Sequence, residues 1–191
     1  MDSAKLLKIV NRYLEIFPEE KDRLEHVIEI IKNNRYEDLA DWNNFNGHLV
    51  ATGIIYAVKD KKFVALYHKD LKRYLCPGGH IDLTDENMLE TARREAFEET
   101  GLKGLEEKKV CELDLVPIDI DKHKIGYNER LDLPEHFHFD FRYLFIIDGI
   151  TDIKIDANEH RDYKWIGIEE LKSSESYGRV ANKIEKFILD V

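Results

Sequence analysis

Three glutamates, Glu95, Glu98 and Glu99, stand at i, i+3 and i+4, so on a helix their carboxylates share one face and converge on one point. Like charges placed that way repel unless a cation neutralises them, and an all-oxygen donor set suits a hard divalent ion such as Mg²⁺ or Mn²⁺. Arg94 lies four residues before Glu98 and can hold that carboxylate in place, a role of orientation rather than chemistry. Upstream, Leu75-Cys76-Pro77-Gly78-Gly79 offers two adjacent glycines, which let backbone approach a ligand closely and permit positive φ. Glutamates alone would read as a solvated helix face, and two glycines alone are a weak signal. Joined within one short stretch, they read as a metal site.

The segment Gly79 to Leu102 resembles the box of the Nudix hydrolases, G-x5-E-x7-R-E-U-x-E-E-x-G-U, where U is a bulky aliphatic residue. Arg94-Glu95, Glu98-Glu99, Gly101 and Leu102 fall in register, and seven residues separate Glu86 from Arg94. Two departures stand out. Six residues, not five, lie between Gly79 and Glu86, which implies a longer loop or Asp85 in the place of Glu86; and Ala96 replaces the bulky residue. The resemblance implies an α+β fold, a Nudix-type α/β/α sandwich with a mixed β-sheet, over residues 41–191. It also implies Mg²⁺, or Mn²⁺ in its place, held by Glu95, Glu98, Glu99 and the backbone at Gly79. The activity so implied is hydrolysis of the diphosphate in a nucleoside diphosphate linked to another group, such as a nucleotide sugar, ADP-ribose or a nucleoside triphosphate. The competing reading is a non-hydrolytic nucleotide-sensing or protein-binding module on the same scaffold. Isomerisation of a prenyl diphosphate would need a catalytic cysteine beside the loop, and Cys76 reads more simply as a small buried thiol.

Further along, Asn158-Glu159-His160 precedes Tyr163-Lys164-Trp165-Ile166 and resembles the late Nudix segment that carries an acidic loop residue. Glu159 is therefore a candidate to complete the metal site or to act as general base, beside Glu95, Glu98, Glu99 and Arg94 in the catalytic group. Its other reading is a plain loop acid. In His136-Phe137-His138-Phe139-Asp140-Phe141-Arg142 the alternation is strict, with three phenylalanines on one face for the core. Asp119, Asp121 and His123 alternate in the same sense, so two paired strands would gather His123, His136, His138, Asp140 and Arg142 on one polar surface. That surface is either a solvated sheet face, a cleft wall meeting substrate phosphate, or a separate histidine metal site.

The elements that must position these groups follow from pattern. Leu6, Leu7, Val10, Leu14 and Phe17 recur at helical spacing, Pro18 stops that helix, and a second runs from Glu19 to Asn33. These two form an N-terminal helical hairpin over residues 1–40, expected to pack on the main domain or in a homodimer interface. Residues 35–47 read as irregular. Strands are expected from His48 to Val58, returning as a hairpin at Phe63–His68, then at Tyr74-Leu75. Thr84 or Asp85 would cap the acidic helix, Met88, Leu89, Ala92, Ala96 and Phe97 would face the core, and Gly101 would end it. A terminal helix is expected over residues 180–189.

Composition bounds the rest. With 191 residues and 43% hydrophobic content, the chain suits one well-packed domain with a helical appendage. A net charge of −10 argues against binding a nucleic-acid polymer, and an anionic substrate would need a metal to offset repulsion. Two cysteines, Cys76 and Cys111, support neither a disulfide framework nor a cysteine zinc site, so a reducing, cytoplasmic setting is expected. No signal-like or membrane-length apolar run occurs.

Overall fold

The computed structural model describes residues 1–109, 115–129 and 132–186. Two long strands form its centre: β1 (His48–Ala57) and β7 (His136–Ile147) run parallel, from His48 beside His138 to Ala57 beside Ile147. The remaining pairings are antiparallel, which makes the sheet mixed. β2 (Lys62–His68) returns on β1 as a hairpin and also pairs with β3 (Arg73–Leu75) and β8 (His160–Ile166). β4 (Gly78–His80) adds to the first half of β1, while β5 (Glu106–Glu107) and β6 (Asp119–Ile125) share β7.

Helices cover both faces, so β1 is buried along its whole length. On one side α1 (Ser3–Ile16), α2 (Lys21–Asn33) and α4 (Met88–Thr100) bury Val10, Val27 and Ala92 against Leu49, Ala51, Phe139 and Phe141. On the other, α5 (Ile168–Lys172) and α6 (Gly178–Ile184) bury Leu171 and Val180 against Ile54, Phe63 and Leu144. This is the expected α/β/α sandwich, and α1 and α2 belong to one continuous apolar cluster with the sheet. Asp2 caps α1 by accepting from the Lys5 N–H, and Pro18, which cannot continue a helix, opens a single 3₁₀ turn before α2. A short helix, α3 (Tyr36–Ala40), stands in the segment expected to be irregular. The expected terminal helix is seen to Ile184; Phe187 and Ile188, like Cys111, lie outside the described residues.

β6 and β7 pair as their alternation implies, setting His123 beside His138 and Asp121 beside Asp140. The polar face they share is not solvated. Arg142 is 1% exposed, with Nε on Asp140 at 2.8 Å, Nη2 on Asp121 at 3.0 Å and Nη1 on Asp119 at 3.3 Å. Arg179 and Lys183 of α6 also reach Asp119, at 2.8 and 2.7 Å, while Arg23 of α2 reaches Asp121 at 3.7 Å. Tyr13 of α1 donates to Glu20 and accepts from Lys183. A polar face that reads as exposed from alternation alone is thus closed by helices from both chain termini.

Candidate active site

Asn87, rather than Thr84 or Asp85, caps α4, its Oδ1 accepting from the Glu90 N–H at 3.1 Å. The expected caps are drawn into a preceding turn, where Asp82 accepts from Thr84 and Asp85 accepts from the Asp82 N–H. That turn absorbs the extra residue of the loop. Arg94 meets Asp85 through Nε at 3.1 Å and Nη2 at 2.9 Å, so Asp85, with five residues between it and Gly79, fills the place that spacing from Arg94 gives to Glu86. The same guanidinium donates to Glu95 at 2.7 Å, Glu98 at 3.1 Å and the His80 carbonyl at 2.9 Å. Arg94 thereby ties the loop to two of the three carboxylates.

The glycines serve close approach rather than positive φ. A Cβ on Gly79 would lie 2.7 Å from the Glu95 carboxylate, and one on Gly78 would lie 2.7 Å from the Ala51 carbonyl. The Gly78 N–H donates to Glu99 at 3.2 Å. Behind the carboxylates, Ala96 is fully buried and faces Gly53, where a Cβ would come within 3.0 Å of it. The small residue lets α4 sit close against β1. Phe97, expected in the core, is 44% exposed, because it stands about 100° around the helix from Ala96, toward Arg93 and Arg94. Gly101, at φ +69°, ends the helix as expected.

Burial pushes the Glu95 carboxyl up to about 7, with Arg94 pulling it back and the charges of Glu99 and Glu98 adding to the rise. Burial likewise raises Glu99, which is 5% exposed and lies 3.3 Å from His160 Nε2. Glu99, Glu159 and His160 each offer a ligand atom within 4.8 Å of the others. Glu99 is buried and Glu159 exposed, and carboxylate oxygens gathered in this way fit a divalent cation. His160, which sequence reasoning passed over, directly follows Glu159 and could have been found by that adjacency.

A cavity of about 300 Å³ opens beside this cluster, lined by Trp42, Phe45, His48, His136 and Glu159. A second, of about 170 Å³, shares His80, His138 and Glu159 with it and includes Gly78, Gly79, Arg73 and His123. His123, His136, His138 and Glu159 therefore reach one cleft with the glycine loop. Asp140 and Arg142 line it too, but Asp140 accepts from Thr52 at 2.8 Å and from Arg142, and Arg142 spends its donors on three aspartates and the Ser176 carbonyl. Cys76 is buried, and burial pushes its thiol up to about 12, so it offers no thiolate near neutrality.

The NUDIX domain profile matches residues 47–188. The chain belongs to the Nudix family. A probable DHNTP pyrophosphohydrolase of Lactococcus lactis subsp. cremoris is 32% identical over 130 residues, covering 68% of this Nudix chain and 72% of the relative. Among solved structures, a C. elegans Ap4A hydrolase aligns with a TM-score of 0.57 at 18% identity, covering 75% of this chain and 98% of that one. The E. coli dihydroneopterin triphosphate pyrophosphohydrolase aligns at 0.55 and 18%, covering 75% and 96%. These structures establish the shared Nudix fold. This Nudix protein is a pyrophosphate hydrolase. No helix among its described residues is long and apolar enough to cross a membrane.

The raised Glu95 carboxyl gives the Nudix site a pH signature in metal-free protein. Between an unfolded value near 4.5 and a folded value of about 7, the folded chain keeps a proton that the unfolded chain has lost. Stability from this group is thus present at acid pH and lost as pH rises through that window, by about 2–3 kcal/mol. In EDTA, Glu95→Gln should gain on wild type by roughly that amount between about pH 5 and pH 8, read from urea unfolding. A difference that stays constant with pH would rule this out.

Proposed function

We propose that the chain hydrolyses a small heteroaromatic triphosphate of the dihydroneopterin triphosphate type, releasing pyrophosphate, with Mg²⁺ as its ion. The observation that carries this reading is the single cleft that joins an aromatic end, Trp42 and Phe45, to an end built from the glycine loop and Glu159. Trp42 is 49% exposed and available to a ring, and Phe45 meets His136 edge-on at 5.8 Å. A cavity of about 300 Å³ suits one bicyclic head group better than the two nucleosides of a dinucleoside polyphosphate. The curated relative supports the same substrate class.

Mg²⁺ would be held by Glu95, Glu98, Glu99 and the Gly79 backbone, and when bound it supplies positive charge to phosphate oxygens and acidifies a water. Arg94 keeps Glu95 and Glu98 in register with the loop through Asp85. Glu159, exposed at the cleft and grouped with Glu99, takes the proton of the attacking water. Water adds to phosphorus, the bridging P–O bond breaks, and pyrophosphate leaves with the monophosphate as the second product. His123 and His138 line the phosphate end, joined by Arg73, while His136 borders the ring end. Asp140 and Arg142 act as positioning residues beneath them.

A release screen with Mg²⁺ or EDTA tests this across dihydroneopterin triphosphate, nucleoside triphosphates, nucleotide sugars, ADP-ribose and Ap4A. The highest kcat/KM is expected on the pterin triphosphate, with pyrophosphate as product and no turnover in EDTA. A tenfold preference for a nucleotide sugar would overturn the substrate. Tight binding without release from any compound would overturn hydrolysis in favour of a binding module.

A further inference from the structure

Four histidines from three strands meet at the inner end of the cleft: His48 opens β1, His80 closes β4, and His136 and His138 open β7. Their rings pack closely, with centroids 4.9 Å apart for His48 and His136, 4.7 Å for His48 and His138, and 5.0 Å for His136 and His138. One ring nitrogen from each of these three lies within 4.8 Å of the other two. His48 and His136 are 1% and 7% exposed, so this is an interior cluster and not a surface coincidence.

Backbone carbonyls fix the tautomer of two of these rings. His48 Nδ1 lies 3.2 Å from the Asn44 carbonyl, and His136 Nδ1 lies 2.8 Å from the Pro134 carbonyl. A carbonyl can only accept, so each Nδ1 carries the proton and each Nε2 presents a lone pair. Without an ion each of these nitrogens accepts from a neighbouring ring inside the cluster: His48 Nε2 is 3.1 Å from His80 Nε2, and His136 Nε2 is 3.1 Å from His138 Nε2. Anchoring one imidazole nitrogen on a backbone carbonyl while the other faces inward is how metal-binding histidines are usually oriented. Burial, joined by neighbouring rings, lowers His48 to about 4 and holds His138 and His80 below the usual histidine range, which favours the neutral form of these three rings.

We infer that His48, His136 and His138 form a second metal site, for a late first-row divalent ion of the Zn²⁺ class, with an open coordination position toward the cleft. Tetrahedral Zn²⁺ with bonds near 2.0–2.1 Å brings ligand nitrogens to roughly 3.3 Å, close to the 3.1 Å between His136 and His138. Three histidines with one vacant position is a donor set that binds a ligand oxygen as well as the ion. Imidazole nitrogen prefers borderline ions, whereas the carboxylates of α4 prefer hard ones, so the two sites sort metals by chemistry. The site stands independently of which triphosphate the enzyme cleaves.

Calorimetric titration of EDTA-treated, dialysed full chain with ZnCl₂ in excess Mg²⁺ tests the site. One equivalent should bind with a Kd of about 1 μM or tighter, and Co²⁺ in its place should give the intense visible absorption of a four-coordinate site. Glu98→Gln/Glu99→Gln should retain that equivalent. His136→Gln/His138→Gln should weaken it by about 100-fold or more, and His138→Asn, at a half-buried ring, covers the case in which the double variant fails to fold. No Zn²⁺ binding, displacement by Mg²⁺, or loss in the glutamine pair with retention in the histidine variants would overturn the proposal.

Discussion

Replacing Glu98 and Glu99 together by glutamine is expected to lower kcat by about 1,000-fold or more, about 4 kcal/mol of barrier, while the fold stays intact. The two side chains keep their shape, and a glutamine amide at position 99 can still accept from the Gly78 N–H, now at 3.2 Å from the carboxylate. What disappears is the negative charge proposed above to hold a divalent ion beside Gly79. Glu99 is buried with its carboxyl raised by that burial, so its ionised form burdens the metal-free protein. The variant should therefore melt no lower than wild type in EDTA, and higher near neutral pH. Pyrophosphate release in Mg²⁺ and thermal melts in EDTA read the two halves of the claim. Retention of more than a tenth of wild-type turnover would remove these residues from the site, and a large fall in Tm would show that they hold the fold. In the same assay, Glu159→Gln separates a base from a bystander: a loss under about tenfold, or 1.4 kcal/mol, would dismiss Glu159 as the base.

A second substitution should act on stability with comparable force. Asp119 is fully buried, and it accepts from Arg179 at 2.9 and 2.8 Å, from Lys183 at 2.7 Å and from Arg142 at 3.3 Å. Burial works to raise its carboxyl, but these cations outweigh burial and hold it below the usual range. Asp119→Ala removes the anion and leaves several cations desolvated without it, at a cost of about 3–5 kcal/mol and a fall in Tm of roughly 10 °C or more. Arg179→Met, at a side chain 35% exposed, should cost clearly less. Chemical denaturation of both variants checks the ranking. Equal losses would mean that α6 docks through its apolar face, Val180 and Ile184, and that the ion network adds little.

The legible parts of this chain were those governed by local pattern. The helix that carries Glu95, Glu98 and Glu99, the Phe137–Phe141 alternation and the helix break at Pro18 each depend on a few neighbouring residues, and each appears in the structure, whereas the two glycines lie in β4 rather than in a loop. Local ambiguity was resolved by side-chain competition: Asp85 lost the cap because it serves Arg94, and Asn87 took it. What stayed hidden was register across distant strands. His48 lies beside His138 only because β1 and β7 are parallel in one particular alignment, and no spacing in the sequence encodes that partner. The fate of Arg142 was hidden for the same reason. Alternation put it on a polar face, but α1, α2 and α6, which close that face, come from the two ends of the chain.

The clamp around Asp119 also orders events during synthesis. Lys183 bonds to Tyr13 across 170 residues, so the polar face of β6 is not closed until both α1 and α6 have been made. The helix bearing Glu95, Glu98 and Glu99 leaves the ribosome more than 80 residues before Lys183. A nascent chain thus carries its acidic helix and an unclosed polar sheet face together, in a partly folded form open to chaperone capture. The Asp119 clamp closes only with the arrival of α6, and activity on the ribosome should be absent until then.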